Sequence, residues 1–321
     1  MKKALLSVVS LFVLLAAILV INQLTITPSG ELIVVNQWGG SGSGAGELSE
    51  PMGVAVDSSG FVYVADVRNA RIQKFTPDGE YVLEWGRQGE GEGEFSKPVG
   101  VAIDANGDVY VSDYDIERIQ KFSPEGKFLS VWGKSGKGPG EFMVAAGIGI
   151  DKKQGALYLA DFYNKRVSKF TLDGKFISQI GTSGRVFSGA LHYPTDAFVD
   201  GAGNVYLADS YNYRIQKFSS SGEFVNKWGG PFGLGIRGKW RGWFYVPSGV
   251  SVDGQGRIIV ADSANNRVVI LSPNGKYLAE WKSEGSGGLY SPTRVAVGKD
   301  NVIYVADTAQ NRIVVLKYKK N

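Results

Sequence analysis

Asp66, Asp113, Asp161, Asp209, Asp262 and Asp307 are each followed five residues later by an arginine: Arg71, Arg118, Arg166, Arg214, Arg267 and Arg312. Taken one at a time, each pair could be a charged site. A second set, Asp57, Asp104, Asp151, Asp200 and Asp253, forms a further series of carboxylates of the kind that invites calcium. Gly42-x-Gly44-x-Gly46 and Gly89-x-Gly91-x-Gly93 have the look of phosphate-binding loops. The chain has no cysteine and one histidine, His192, so thiolate chemistry and zinc sites built from several histidines are excluded.

The elements around these residues change their meaning. Intervals between the six aspartates are 47, 48, 48, 53 and 45 residues, the period of a four-stranded propeller blade. The first unit runs from Pro51 to Gly86 as four short β-rich stretches, strands a to d, separated by turns rich in Asp, Asn, Pro and Gly. Strand a is apolar, as an inner strand should be, and strand c alternates polar with apolar, which predicts a more solvated strand. The last unit stops after strand c, while Glu31–Gly39 is a strand with no a, b or c before it. Its Trp38-Gly39 matches Trp85-Gly86, Trp132-Gly133 and Trp228-Gly229, so it should complete the last blade and close the ring.

These repeats resemble the NHL-repeat six-bladed β-propellers. The resemblance rests on Pro-x-Gly-Val-Ala-Val-Asp, on Val-Tyr-Val-Ala-Asp-x-x-Asn-x-Arg-Ile-Gln-Lys-Phe, and on Trp-Gly followed by Gly-Glu-Phe, across residues 31 to 318. It implies an all-β fold of six four-stranded antiparallel blades. It implies much less about activity, since the family includes RNA-binding, protein-binding and lyase members.

Within that frame the repeated residues read as architecture. Six copies of Asp-x-x-Asn-x-Arg in the b-to-c turns are six fasteners, with Ile116 and Gln310 departing from the asparagine. The strand-a aspartates precede turn glycines and read as Asx turns. No helix follows the glycine stretches, so they read as flexible crossings between blades rather than anion cradles.

Function is then sought where the repeat breaks. The crossing after blade 4 is five residues longer than its neighbours and carries Phe232, Arg237, Lys239, Trp240, Arg241, Trp243, Phe244 and Tyr245. Two readings stay open: a recognition surface of aromatics and cations, or aromatics tucked under the next blade as expected for Phe95 and Phe142. In an up-down meander this crossing shares a face with the b-to-c turns. That face therefore gathers Arg68, Tyr114, Phe162, Tyr163, Tyr211 and Tyr213, whereas blades 5 and 6 carry Ser263-Ala264 and Thr308-Ala309. Asp196 and Arg294 replace the glycine found at Gly53, Gly100, Gly147 and Gly249, near the mouth of the central channel.

Met1-Lys2-Lys3 precedes an apolar run from Ala4 to Ile21, about 27 Å long if helical. Residues 1–21 are expected to be an uncleaved transmembrane signal anchor, 22–30 a linker with room to tilt, and 31–321 the propeller outside the cytoplasmic membrane. Strand direction places the membrane on the tight-turn side. Beyond the lysine pair the charge is nearly balanced, which disfavours nucleic acid. The expectation is a non-catalytic propeller that binds a protein, peptide or glycan on its loop-rich face, with no cofactor. An accessory subunit of a membrane complex is one alternative; another, raised by the resemblance, is a calcium-dependent lactonase- or lyase-like propeller enzyme in which Asp196, Asp209 and Asn212 would supply oxygens.

Overall fold

A computed structural model describes residues 26–282 and 288–321, apart from the side chain of Phe232. The expected membrane anchor and the start of the linker lie outside the described residues. Among the described residues no helix is long and apolar enough to cross a membrane.

Six four-stranded antiparallel sheets are arranged as blades. Blade 1 comprises strands Pro51–Val56, Val62–Asp66, Arg71–Phe75 and Tyr81–Trp85. Blades 2 to 5 repeat the pattern with first strands Pro98–Ile103, Ala145–Asp151, Pro194–Val199 and Pro247–Val252. Blade 6 combines Pro292–Val297, Val302–Asp307 and Arg312–Lys320 with the N-terminal strand Gly30–Gly39. That strand pairs from Gly30 opposite Lys320 to Gly39 opposite Arg312, so the two ends of the chain zip the ring shut as the unpaired Trp-Gly strand predicted.

Hydrophobic burial between neighbouring blades holds the ring together. Six core clusters each draw on two adjacent blades; Ile72, Phe95, Val101 and Phe122, for example, join blades 1 and 2. Each crossing plants one apolar side chain in the next cluster: Leu48, Phe95, Phe142, Leu191, Phe244 and Leu289 are all buried. The Trp38 ring lies 4.4 Å from that of Phe75 of blade 1, tilted by 36°, so the closing strand also serves the next interface.

Two expectations are corrected. Strand c is not the solvated strand: Arg71, Ile72, Gln73 and Phe75 are all buried and strand d is the exposed one. Its polar residues point inward because their partners are there. Asp66 Oδ2 accepts hydrogen bonds from Asn69, Arg71 and Gln73 at 2.8, 2.8 and 3.1 Å. Nor are the glycine crossings loose. Glu47 accepts from the Gly44 amide at 2.8 Å, as Glu94 does from Gly91 and Glu141 from Gly138. A carboxylate already fills the position an anion would need, which removes the phosphate-loop reading by charge as well as by fold.

Candidate recognition face and channel

The fasteners are built from local hydrogen bonding. Arg71 donates Nε to Asp66 at 2.8 Å, then reaches back to the preceding crossing through Ser43, Gly44 and Glu47 carbonyls at 2.9, 2.8 and 3.0 Å. The other Asp Oδ accepts the Ser49 amide at 2.6 Å. One carboxylate thus ties the b-to-c turn to the crossing, and blades 3 to 6 repeat the Asp–Arg pair. In blade 2, where Ile116 replaces asparagine, Asp113 is held by the Ser96 and Lys97 amides and Arg118 grips only the crossing carbonyls. The strand-a aspartates close Asx turns: Asp57 Oδ1 accepts the amides of Ser59, Gly60 and Phe61 at 2.8, 2.8 and 2.9 Å.

The break residues fall into four separate groups. Asp196 and Arg294 find one another across the ring, with Arg294 Nε 3.2 Å from Asp196 Oδ1. Each sits where strand a bulges, and a bulge re-aims a side chain. A Cβ on Gly147 would lie 2.2 Å from Asp196 Oδ1, so the neighbouring glycine makes the space for the pair. Arg294 also donates to the Ser248 carbonyl at 2.6 Å and the Thr195 carbonyl at 2.5 Å, and Asp196 Oδ2 accepts the Val250 amide at 3.0 Å. Together they lie in the wall of a central channel of about 320 Å³, lined by the six first strands and bordered at the tight turns by Lys152, Lys153 and Asp200. Unpaired edges of the inner strands give this apolar tube a polar backbone lining.

Burial pushes the Asp196 carboxyl up to about 6, against the pull of Arg294. The unfolded chain releases this proton near 3.8. The folded state therefore binds more protons between about pH 4 and 6, and the stability this group adds is complete below that window and lost as pH rises through it. Wild type is expected to lose denaturant resistance relative to Asp196→Asn from pH 4 to pH 6. A pH-independent difference between their urea midpoints would contradict this.

Tyr114, Tyr163 and Tyr211 come together on the loop-rich face. Phe162 lies 5.1 Å from Tyr163, 5.0 Å from Tyr193 and 6.2 Å from Tyr211, while Tyr193 lies 5.2 Å from Tyr211 and 4.4 Å from His192. Contacts are edge-on or tilted, the geometry aromatic quadrupoles favour. Tyr163 and Tyr211 remain 51% and 43% exposed, and Phe187 on the adjoining crossing is 80% exposed. Lys97 lies over Tyr114 at 4.5 Å and Lys165 over Tyr193 at 5.0 Å. Burial, and then the neighbouring Tyr163, raise the Tyr114 phenol.

His192 belongs to this cluster. Burial and the Arg185 charge lower its affinity for a proton, so it is neutral at pH 7. Arg185 Nη2 is 3.3 Å from His192 Nε2. A guanidinium can only donate, so Nε2 accepts and the proton sits on Nδ1, which has no partner among the described residues.

Tyr213 and Arg237 form a third group around Tyr245, at 5.9 and 5.7 Å from its ring. Trp240 and Trp243 pack together at 4.8 Å, and Arg241 lies over Tyr277 while donating to the Ile26 carbonyl. The long crossing is divided: Phe244 is tucked under the next blade, while Trp240 and Tyr245 are exposed. Arg68 stands apart from all four groups, paired with Glu50 at 2.6 Å. The calcium alternative loses its ligands: Asp209 is bonded to Asn212 and Arg214, and Asp196 to Arg294. Among the described residues no three acidic or histidine side chains converge on a metal position.

Sequence reasoning missed Tyr193, His192 and Phe187. Tyr193 stands just before a strand-a proline, where other blades have Glu50, Lys97, Val246 and Ser291. An aromatic at that repeat position was the available signal. The residue directly after the fastener aspartate is aromatic in blades 2 and 3, Tyr114 and Phe162, and carries a hydroxyl in blades 4 to 6. The equivalent residues Ser210, Ser263 and Thr308 use their hydroxyls to bond the Pro247, Pro292 and Pro51 carbonyls of the next blade.

Residues 106–217 match a model described as a 6-bladed beta-propeller, and residues 48–75, 244–271 and 289–316 match the NHL repeat. The chain carries NHL repeats. Over 44 residues, 14% of its length, this NHL propeller is 50% identical to the E3 ubiquitin-protein ligase TRIM71 of Mus musculus, a match that spans 5% of that protein. Among solved structures it is similar to a streptogramin B lyase, with a TM-score of 0.61 at 14% identity over 90% of this chain and 98% of the other. It is also similar to a catalytically inactive virginiamycin B lyase from Staphylococcus aureus with quinupristin, with a TM-score of 0.60 at 15% identity over 90% and 88%. A chain of a nidogen/laminin complex aligns with a TM-score of 0.55 at 19% identity over 72% and 79%. At these identities the likeness is one of fold.

Proposed function

We propose that this NHL propeller is a non-catalytic binding module, displayed outside the cytoplasmic membrane on its N-terminal anchor, that captures a protein or peptide through the aromatic cluster of blades 2 to 4. The observation that carries the reading is the cluster of Phe162, Tyr163, His192, Tyr193 and Tyr211, packed ring against ring on the loop-rich face yet left partly open. Rigid aromatics bury large area at low entropy cost and are enriched among residues that dominate binding energy. Lys97, Lys165 and Arg185 rim the cluster and favour an acidic partner. The nidogen/laminin neighbour is a propeller of this fold seen in a protein complex.

Tyr163→Ala with Tyr211→Ala is the test. Hot-spot truncations cost about 2 kcal/mol or more each, so the double variant, at about 4 kcal/mol, should bind roughly a thousandfold more weakly and lose nearly all capture when its membrane is cross-linked and partners are counted. Both side chains are about half exposed, so the melting temperature should hold. Undiminished capture at equal protein level would end this reading.

A further inference from the structure

We propose that the crossing of residues 229–246 is a lipid-contacting element, seated on the same bilayer that holds the anchor. The proposal rests on reading residues 4–21 as a membrane span, and it adds which edge of the ring faces that membrane.

The start of the described chain is held tightly. Ile26 packs on the core between blades 4 and 5, where Trp228, Phe244 and Tyr277 meet, and its carbonyl accepts a hydrogen bond from Arg241 Nη1. The Ser29 amide donates to the Leu278 carbonyl at 2.9 Å, its carbonyl accepts the Asn321 amide at 3.1 Å, and its hydroxyl lies 3.1 Å from the Tyr318 hydroxyl. Residues 26 to 29 therefore run along the outer strands of blades 5 and 6. The expected freedom to tilt is gone from this part of the linker.

Distance then decides what lies near the membrane. From Ile21, the end of the apolar run, to Ile26 there are five Cα steps, which reach at most about 18 Å when fully extended. The end of the span cannot be farther than that from Ile26, and Arg241 touches Ile26. The rim between blades 4 and 5 thus lies within that reach of the bilayer surface.

The chemistry of this rim suits that location. Leu234, Ile236 and Trp240 are 47%, 48% and 42% exposed, alongside exposed Arg237 and Lys239. Tryptophan and cations interleaved with aliphatics are the composition of a segment lying at the headgroup level, where rings meet the acyl boundary and cations meet lipid phosphates. Residues 229–246 contain no Asp or Glu, as is also true of the crossing of residues 181–193. The crossings before blades 1, 2 and 3 each carry a glutamate that caps a glycine amide, Glu47, Glu94 and Glu141. A carboxylate would be repelled by anionic lipid, and the crossing closest to the anchor is free of one. The occupant is therefore a bilayer containing anionic lipid, rather than a second protein.

The cysteine-free chain permits a direct test. Ile236→Cys and Trp240→Cys are labelled with an environment-sensitive fluorophore in the full-length protein, reconstituted into vesicles of phosphatidylcholine and phosphatidylglycerol with or without acyl-chain nitroxide lipid. Ala105→Cys, in an exposed turn of blade 2 across the ring, is the control. Labels at 236 and 240 are expected to emit at shorter wavelength and to be quenched by the nitroxide several-fold more than the label at 105. Equal, solvent-like emission at all three positions, from protein that stays with the vesicles through an alkaline wash, would overturn the lipid contact and leave the anchor standing. Release by that wash would overturn the anchor, and the contact with it. Shielding at 236 and 240 without nitroxide quenching would assign the crossing to a contact with another copy of this chain and would also overturn the proposal.

Discussion

Arg214→Ala is expected to lower the free energy of unfolding by about 3–5 kcal/mol, the cost of leaving a buried charge without its partner. Both side chains of the Asp209–Arg214 pair are fully buried, 2.8 Å apart. Arg214 also donates to the Phe187 and Ala190 carbonyls at 3.0 and 2.6 Å. Truncation strands the carboxylate together with these carbonyls. Burial already raises the Asp209 carboxyl above its ordinary range and Arg214 opposes that rise, so the variant should carry Asp209 protonated at a higher pH than wild type. Arg118→Ala should cost clearly less, because Asp113 keeps the Ser96 and Lys97 amides whether or not the arginine is present. Urea midpoints of the two variants make the comparison. Equal losses would mean that the carboxylate partnership does not set the strength of a fastener.

Phe244→Ala should cost about 3–5 kcal/mol, as for other fully buried aromatic side chains, while Trp240→Ala should leave stability almost unchanged. Phe244 is fully buried between blades 4 and 5, in the position that Leu48, Phe95, Phe142, Leu191 and Leu289 hold at the other interfaces. Trp240, four residues earlier, is 42% exposed and touches Trp243. One crossing therefore performs two tasks, an apolar plug for the next blade and a surface display. Thermal unfolding of both variants separates them. A comparable loss from Trp240→Ala would show that the whole crossing is part of the core.

Much of this was legible from spacing alone. Asp66 and Arg71 are five residues apart on adjoining strands, so their pairing follows from the turn between them and recurs wherever the turn does. The Asx turns at Asp57 and its counterparts are equally local. Ring closure was readable because the N-terminal strand carried a Trp-Gly that its own surroundings could not explain, and strand pairing then followed from the missing edge. The aromatic b-to-c turns stood out because six copies supplied a template against which an exception could be seen.

Contacts that depend on ring closure were not legible in the same way. Asp196 and Arg294 are 98 residues apart in sequence, and both were marked as replaced glycines, yet only the meeting of blades 4 and 6 around one axis makes them a pair. Arg241 was read as a recognition residue; its contact with the Ile26 carbonyl, 215 residues away, follows from where the N-terminal segment leaves the rim. Polar alternation in strand c predicted solvent, but Arg71 and Gln73 are buried because the preceding crossing folds over them with unmet carbonyls. Periodic sequence therefore carried the interactions made within one blade or between strands joined by a turn, where chain connectivity sets the distance. Interactions across the axis and along the rim were set by the closed ring, since only closure brings residues from distant repeats within hydrogen-bonding range.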